Sequence, residues 1–359
     1  MKSVYIHIPF CSNICSYCDF TKLYHLEKYV NDYLISLEKE IKQNYQGELI
    51  ETIYIGGGTP SCLKTNELLK LFDIIAIFNL SDTVEFTMEC NVIDINEEKL
   101  EIMKKNKVNR LSIGVQSFDE KILKYLNRNH TKEQTIKNIL LAKKYFSNIS
   151  IDLIYAIPNQ TLEQLKNDLK QFLQLDIPHI STYSLMIEPH TTLKDTISID
   201  EDMDFKMYQT IVKILNENNY NHYEISNFSK KGYESKHNLT YWNNENYYGF
   251  GLAASGYIEN IRYTNTKNIM AYINGKIKNE QNILNKKDQM QEEMFLGLRK
   301  IEGVSISKFE SKYNEKIEEI FEINDLIKEK KLILKNNFLK INPKYIYLSN
   351  SILIRFVGD

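Results

Sequence analysis

Three of the five cysteines in this 359-residue chain, Cys11, Cys15 and Cys18, fall within eight residues as C-x3-C-x2-C. The run before them, Val4–Pro9, is apolar and β-branched and reads as a strand, which puts the three thiols on a short loop at its end. They do not pair off as disulfides, because their number is odd and the rings between neighbours are too tight for relaxed geometry. Three thiolates on one loop converge instead on a single metal centre. A closed structural zinc site wants four ligands, usually from two C-x2-C-like pairs. Here the fourth would be His7, Asp19 or His25, because Cys62 and Cys90 are isolated. A [4Fe–4S] cluster on three thiolates keeps one iron free for a substrate or cofactor. The spacing favours iron–sulfur over zinc, with inert thiols as the third reading.

After the loop, Leu26, Tyr29, Val30, Tyr33, Leu34, Leu37 and Ile41 recur at helical spacing. Strand Thr52–Ile55 runs into Gly56-Gly57-Gly58-Thr59-Pro60. Helix Asn66–Phe78, strand Thr83–Glu89, helix Asn96–Lys105 and strand Arg110–Val115 follow. Two helical patterns within Asp119–Tyr145, strand Ile149–Ile154, helix Leu162–Leu175 and strand Ile180–Met186 complete six strand–helix units. This is an α/β pattern, read as a partial (β/α)6 barrel of parallel strands with helices outside. The polar and glycine-rich stretches all follow strands, and in a barrel those ends share the face where sites are built. An open doubly wound sheet predicts the same alternation.

The alternation stops near residue 200, so residues 1–200 read as the barrel. Helix Phe205–Asn216, strand Tyr220–Ser226 and the irregular aromatic segment Phe228–Tyr257 read as a region appended over 201–285. Over 286–359, helical patterns at Met294–Lys300, Ile306–Tyr313 and Ile317–Lys328 precede strand-like Leu332–Leu334, Tyr345–Leu348 and Ile352–Phe356. Helices followed by a hairpin suggest a small winged-helix-like α+β domain.

Hydrophobic residues make up 43% of the chain and charged ones 26%, the proportions of an ordinary soluble protein. A net charge of −2 argues against a nucleic-acid partner. No apolar run approaches a membrane span, which leaves at most peripheral membrane contact. Few cysteines, odd in number and clustered, point to a reducing cytoplasm, and a chain that opens on a strand is expected to carry no signal peptide.

The glycine run fits neither the dinucleotide fingerprint nor the P-loop spacing. Its bare backbone either lets a ligand approach closely or makes a tight turn. Glu89, Gln116, Arg128 and Asp152 stand at or near the ends of successive strands. Arg128 can fork onto a carboxylate, and Asp152 can accept ribose hydroxyls. His237, beside Tyr241 and the only tryptophan, Trp242, reads as a core histidine, an acid–base or an axial haem ligand.

In order along the chain, HIPFCSNICSYCDF, IYIGGGTPS, TMECN, NRLSIGVQSFDEKIL, IDLIYAIPNQTLEQL, HISTYSLMIEP, YEISNFSKKGYESKHNLTYW and YYGFGLAASGY resemble the radical S-adenosylmethionine (SAM) superfamily. The resemblance is to the branch shared by oxygen-independent coproporphyrinogen III oxidase and a related haem chaperone. It implies a cluster on Cys11, Cys15 and Cys18 whose fourth iron chelates the amino and carboxylate groups of SAM. It places Gly57, Gly58 and Thr59 at the methionine moiety and Arg128 at its carboxylate. Glu89, Gln116 and Asp152 would contact the amino group, the ribose or nearby atoms, with Tyr5 and Tyr17 packed on or bonded to the cofactor. An electron donor such as flavodoxin or ferredoxin is implied with them.

The oxidase carries an extra cysteine two positions after the third, where this chain has Phe20, and an extension for which ten residues before Cys11 are too few. HNLTYW fits the HNxxYW signature of the haem-chaperone branch and places His237 at haem. The function implied is delivery of haem to acceptor haemoproteins by a protein that binds the cluster, SAM and haem. The alternative is the oxidase, which decarboxylates coproporphyrinogen oxidatively through a 5′-deoxyadenosyl radical. Asn127, Ala156, Asn159 and the alanines of Gly251-Leu-Ala-Ala-Ser255 stand where the family usually has glycine, and Val92 where it has proline.

Overall fold

The computed structural model describes residues 2–189, 191–193 and 200–357. Strand β1 (Ser3–Ile8) leads into the cysteine loop, which two short strands, β2 (Phe10–Cys11) and β3 (Leu23–Tyr24), close in parallel. Strands β4 (Ile50–Gly57), β5 (Leu80–Asn91), β6 (Arg110–Gln116), β7 (Asn148–Tyr155) and β8 (His179–Ser184) then extend a parallel sheet from β1 in that order. Between them run the helices α1 (Glu27–Asn44), α2 (Thr65–Ile75), α3 (Glu97–Lys105), α4 (Glu120–Tyr125), α5 (Lys132–Ala142) and α6 (Leu162–Leu175). Two capping boxes, Thr131 with Gln134 and Thr161 with Gln164, start α5 and α6.

A strand's period of two sorts these residues. Val4, Ile6, Ile8, Ile53, Ile55, Phe86, Met88, Leu111, Ile113, Ile149 and Ile151 face the helices and share one core. The alternate positions face inward and are polar. Tyr5 lies opposite Tyr54, Glu89 opposite Ser112, Ser112 opposite Ser150, and Asp152 opposite Ser181. Closed β/α barrels fill this space with branched apolar side chains; here it is a polar chamber. Tyr54 on β4 and Tyr183 on β8 line one cavity. In a flat sheet they would stand about 19 Å apart, four strand spacings, so the sheet curls and the open doubly wound alternative is excluded.

The sheet does not stop at residue 200. After α7 (Glu201–Glu217), β9 (Asn221–Glu224) and β10 (Asn227–Ser229) add antiparallel strands beside β8. Helix α8 (Lys236–Trp242) follows. Then β11 (Tyr247–Phe250) joins β1 in parallel at the opposite edge. Beyond it β12 (Ser255–Ile258), β13 (Ile261–Asn265), α9 (Ile269–Ile273) and β14 (Lys278–Ile283) complete twelve strands. The segment read as irregular therefore holds strands, too short to display an alternation. Helix α8 plugs the barrel end away from the cysteine loop. The N–H groups of Lys236 and His237 donate to Glu85 at 3.1 and 3.0 Å, and Thr240 meets Ser3 at 3.0 Å.

The C-terminal region comprises α10 (Lys286–Gly297), β15 (Val304–Ser305), α11 (Ile306–Tyr313), α12 (Ile317–Ile320), α13 (Asn324–Lys328), β16 (Leu332–Lys335), β17 (Phe338–Ile341) and α14 (Ser349–Leu353). It has its own core around Met294, Leu298, Phe309 and Leu339. The strands expected at Tyr345–Leu348 and Ile352–Phe356 are absent from that sheet; a 3-10 turn, Pro343–Tyr345, and α14 occupy the stretch. The hairpin's second strand is β17, reached through Asn336 and Asn337, both left-handed at φ 52° and 66°. Such a pair matches the twist of a two-residue hairpin turn. Among the described residues no helix is long and apolar enough to cross a membrane.

Candidate cofactor site

The cysteine loop is clamped from two sides. Lys22 Nζ donates to the Cys18 and Phe20 carbonyls at 2.5 and 3.2 Å. Across the chamber Ser16 N donates to Leu126 O at 3.2 Å, Asn13 Nδ2 to Asn127 O at 2.6 Å, and Asn127 Nδ2 to Ile14 O at 2.8 Å. Asn127, one of the glycine replacements, keeps the left-handed backbone at φ 55° and adds a side-chain strap to the loop. Ala156, Asn159 and Ala253 also take left-handed backbone, at φ 56°, 65° and 58°. The fold thus retains glycine's conformation without glycine.

Cys11, Cys15 and Cys18 line one cavity of about 470 Å³. Burial pushes the Cys11 thiol up to about 11, against a hydrogen bond from Thr59 Oγ1 at 3.5 Å, and burial also raises Cys18. Thiols of this kind are poor nucleophiles at neutral pH and become thiolates when metal takes the proton's place. Two of the three candidates for a fourth zinc ligand are engaged elsewhere. His7 bonds Tyr5 Oη at 3.0 Å and Thr21 O at 2.9 Å, and His25 bonds Glu67 at 2.8 Å. Among the described residues no three Cys, His, Asp or Glu are gathered closely enough to enclose one ion.

The triple glycine is more than a turn. Gly56 and Gly57 still belong to β4, and Gly57 takes φ 112°. A Cβ on Gly57 would lie 2.5 Å from the His7 ring. One on Gly58 would lie 2.8 Å from Phe10 O and 3.0 Å from Cys11 Sγ. Only bare backbone lets β4 press against the cysteine loop this closely. Gly58 N and Thr59 N then donate to Ile8 O and Phe10 O at 2.9 and 2.8 Å.

A hydrogen-bonded arc joins two of the cysteines. Thr59 Oγ1 donates to Cys11 Sγ and accepts from Asn91 Nδ2 at 3.1 Å. Asn91 Oδ1 accepts from Arg128 Nη2 at 2.7 Å, and Arg128 Nη1 donates to Cys15 Sγ at 3.1 Å. Gly114 O also holds Nη2, at 2.6 Å, while the buried Nε has no partner. A fork held by its neighbours with one donor unspent is poised for a carboxylate. Tyr17 lines the same cavity, and so does Gln116, whose φ of 70° sits where the β6–β7 register shifts. Strained backbone held at a cavity wall marks a functional position.

Glu89 accepts from Tyr54 Oη at 2.8 Å and Gly57 N at 3.1 Å. Burial first, with Asp152 adding to it, pushes its carboxyl up to about 7. Burial likewise pushes Asp152 up to about 6, although the seryl side chains of Ser181 and Ser112 and the Arg110 charge oppose it. A cationic group brought between them would favour both carboxylates. Glu89 titrates at 4.5 when unperturbed and higher in the fold, so its contribution to stability is full below about pH 4.5 and is lost as pH rises through about 7. Glu89→Gln removes this dependence. Its stability relative to wild type is expected to gain about 3 kcal/mol across that window. Urea denaturation over the pH series checks this, and a constant difference would contradict the assignment.

Two expected residues are not brought to this cavity. Tyr5 lies behind Tyr54, their rings stacked at 6.2 Å, and lines a second cavity of about 540 Å³ on the other side of Asp19 and Phe20. Its hydroxyl orients His7 instead. His237 is 1% exposed, with Nδ1 on Thr52 Oγ1 and Nε2 on Tyr241 Oη, both at 2.8 Å, and its ring stacks on Tyr54 at 5.2 Å. Burial, then the nearby Arg110 charge, pushes it down to about 3. Neither nitrogen is open to iron, so the placement of His237 as a haem ligand is corrected: it is the hub of the barrel's plug. Its neighbour Asn238 reaches the cavity. Asn91, Arg110, Ser112, Ser181 and Tyr183, which lie within the quoted motifs but carry no role assigned from them, also line it. The inward half of each strand's alternation is the signal that locates them.

Comparison with known proteins agrees with this geometry. The profile of the radical SAM superfamily matches residues 5–172, and that of the HemN C-terminal domain matches 284–348. The chain is 43% identical to the Lactococcus lactis protein named heme chaperone HemW, over 100% of this chain and 98% of the relative. It is 38% identical to the Bacillus subtilis protein of the same name, over 100% of both. Coproporphyrinogen III oxidase (HemN) from Escherichia coli superposes with a TM-score of 0.88 at 21% identity, over 99% of this chain and 89% of that one, a likeness of fold.

Proposed function

The chain belongs to the radical SAM superfamily, in the family of proteins named heme chaperone HemW, and from that premise we propose that it binds a [4Fe–4S] cluster, SAM and haem and passes haem to acceptor haemoproteins. The observation that carries this reading is the full-length match to relatives of that name. Cys11, Cys15 and Cys18 would hold the cluster. When bound, it supplies a free iron for chelating SAM and a route for one electron, drawn from a donor such as flavodoxin or ferredoxin.

The chain's own residues do the rest. Arg128 pairs with the SAM carboxylate through the fork that Asn91 and Gly114 steady. Glu89 accepts from the amino group, Asp152 and Gln116 from the ribose, and Gly57, Gly58 and Thr59 keep the methionine end against bare backbone. Phe20, 68% exposed at the cavity mouth, stands where a fourth cysteine would be and donates nothing to iron. The described cysteines are all unpaired, which suits a reducing cytoplasm.

Titration of anaerobically reconstituted protein with haem, followed by absorbance, tests the proposal; absence of a saturable haem spectrum in wild type defeats it. His237→Ala should keep that spectrum while losing about 3 kcal/mol of stability in urea, because it strands Thr52 and Tyr241 and opens a cavity under Tyr54. Conversion of coproporphyrinogen to protoporphyrinogen, with dithionite and SAM, would put the oxidase in place of the chaperone.

A further inference from the structure

Among the described residues Arg110 is one of the largest fully buried side chains, 2% exposed. It opens β6 on the inward face, opposite Thr87 on β5 and Asn148 on β7, and lines the cofactor cavity. Its Nε has no hydrogen-bond partner, and among the described residues no carboxylate lies within 4.0 Å of it. Its charge is felt by Asp152 and by His179 and His237, two histidines that burial first, and this charge second, hold neutral. A buried guanidinium with a donor unspent and no carboxylate in direct contact is costly, and an anion from outside would complete it.

That anion is not the SAM carboxylate. Arg128 takes hold of Gly114 O, four residues further along the same strand, and a strand rises about 3.3 Å per residue. The carbonyl that holds Arg128 therefore lies roughly 13 Å along β6 from the Arg110 backbone. Arg128 bonds Cys15 at the cysteine end, whereas the Arg110 charge reaches His179 and His237 on the plug side, and Asn238 of α8 is in the same cavity lining.

We propose that Arg110 anchors a carboxylate arm of the second ligand, the one that enters the barrel beneath SAM. This deepens the haem reading and rests on it: the arm is a propionate of the tetrapyrrole. A guanidinium fork matches a carboxylate in two parallel bonds, and polar neighbours such as Ser112 and Asn238 supply the remaining contacts. The chamber's polar inner face, unlike the apolar filling of a closed barrel, then has a purpose along its whole depth.

The test compares haem with haem dimethyl ester, whose propionates carry no charge, on reconstituted wild type, Arg110→Gln and Arg110→Lys, with SAM titrated in parallel. Wild type is expected to prefer the free acid by about tenfold or more. Arg110→Gln should lose that preference and bind both at the ester's affinity, and Arg110→Lys should fall between them. SAM affinity should stay at the wild-type value in both variants. Removing an unpaired buried charge should leave apo Tm no lower than wild type, which separates lost recognition from misfolding. If Arg110→Gln keeps the preference, or loses SAM instead, Arg110 is not the propionate anchor while the haem reading survives. If wild type binds neither haem nor its ester, the haem reading fails and this assignment fails with it.

Discussion

Replacing any one of Cys11, Cys15 or Cys18 with serine is expected to abolish the iron–sulfur chromophore, with bound iron falling from about four per chain to background. The argument rests on count and position. Cys11, Cys15 and Cys18 line the cavity from one loop, and His7 and His25 are bonded elsewhere; Cys90 reaches the same lining from β5 but belongs to the apolar core, against which Cys62 is also packed. No spare thiolate is available to make up a loss. The three variants should differ as apo-proteins. Cys11 is 5% exposed and tied to Thr59, so Cys11→Ser should cost about 1 kcal/mol of folding stability, whereas Cys18→Ser at the rim should cost less than about 0.5 kcal/mol. Cys62→Ser and Cys90→Ser should keep full iron. Iron analysis with absorbance of anaerobically reconstituted protein decides it. A loop variant that retains wild-type iron would mean that the ligand set is misassigned.

Arg128→Ala is expected to weaken SAM binding by roughly 2–5 kcal/mol, thirtyfold to several-thousandfold, because it removes one partner of a charge pair made away from water. Arg128→Lys should not restore it. The guanidinium is fixed by Asn91 at 2.7 Å and Gly114 at 2.6 Å with Nε left over for a carboxylate, and an ammonium, whose donors all sit on one atom, cannot keep both contacts and also reach the ligand. Iron content should stay at the wild-type level, since Arg128 reaches Cys15 only as a hydrogen-bond donor. Equilibrium dialysis of SAM against the iron-loaded protein reads the loss directly. Unchanged affinity would transfer the carboxylate to another group and would break the division of labour between Arg128 and Arg110.

Much of the site is legible in the amino-acid sequence. Cysteine spacing, the glycine run and the strand-end polar residues Glu89, Gln116, Arg128 and Asp152 are local signals, and the fold gathers all of them around one cavity. Motifs mislead where a residue's surroundings decide its part. HNLTYW points at haem, yet His237 is spent on Thr52, Tyr241 and Tyr54, three partners at distant or neighbouring places in the chain. Tyr5 shares the inward face of β1 but is screened by Tyr54, a screening that depends on side-chain packing and not on strand periodicity. The segment Phe228–Tyr257 reads as irregular because its strands have three or four residues; pairing partners on both edges of the sheet make them strands.

By itself, then, the sequence determined the cysteine loop, the α/β alternation, the small C-terminal domain and the family, since each is carried by spacing within a few residues or by ordered motifs. The tertiary structure decided what spacing does not encode. It curled the sheet so that β4 faces β8, joined Cys11 to Cys15 through Thr59, Asn91 and Arg128, and sealed the far end with α8. It also left Arg110 buried with no described carboxylate in direct contact. Each of these depends on side chains many residues apart meeting in one chamber, where burial sets both their charge and their use.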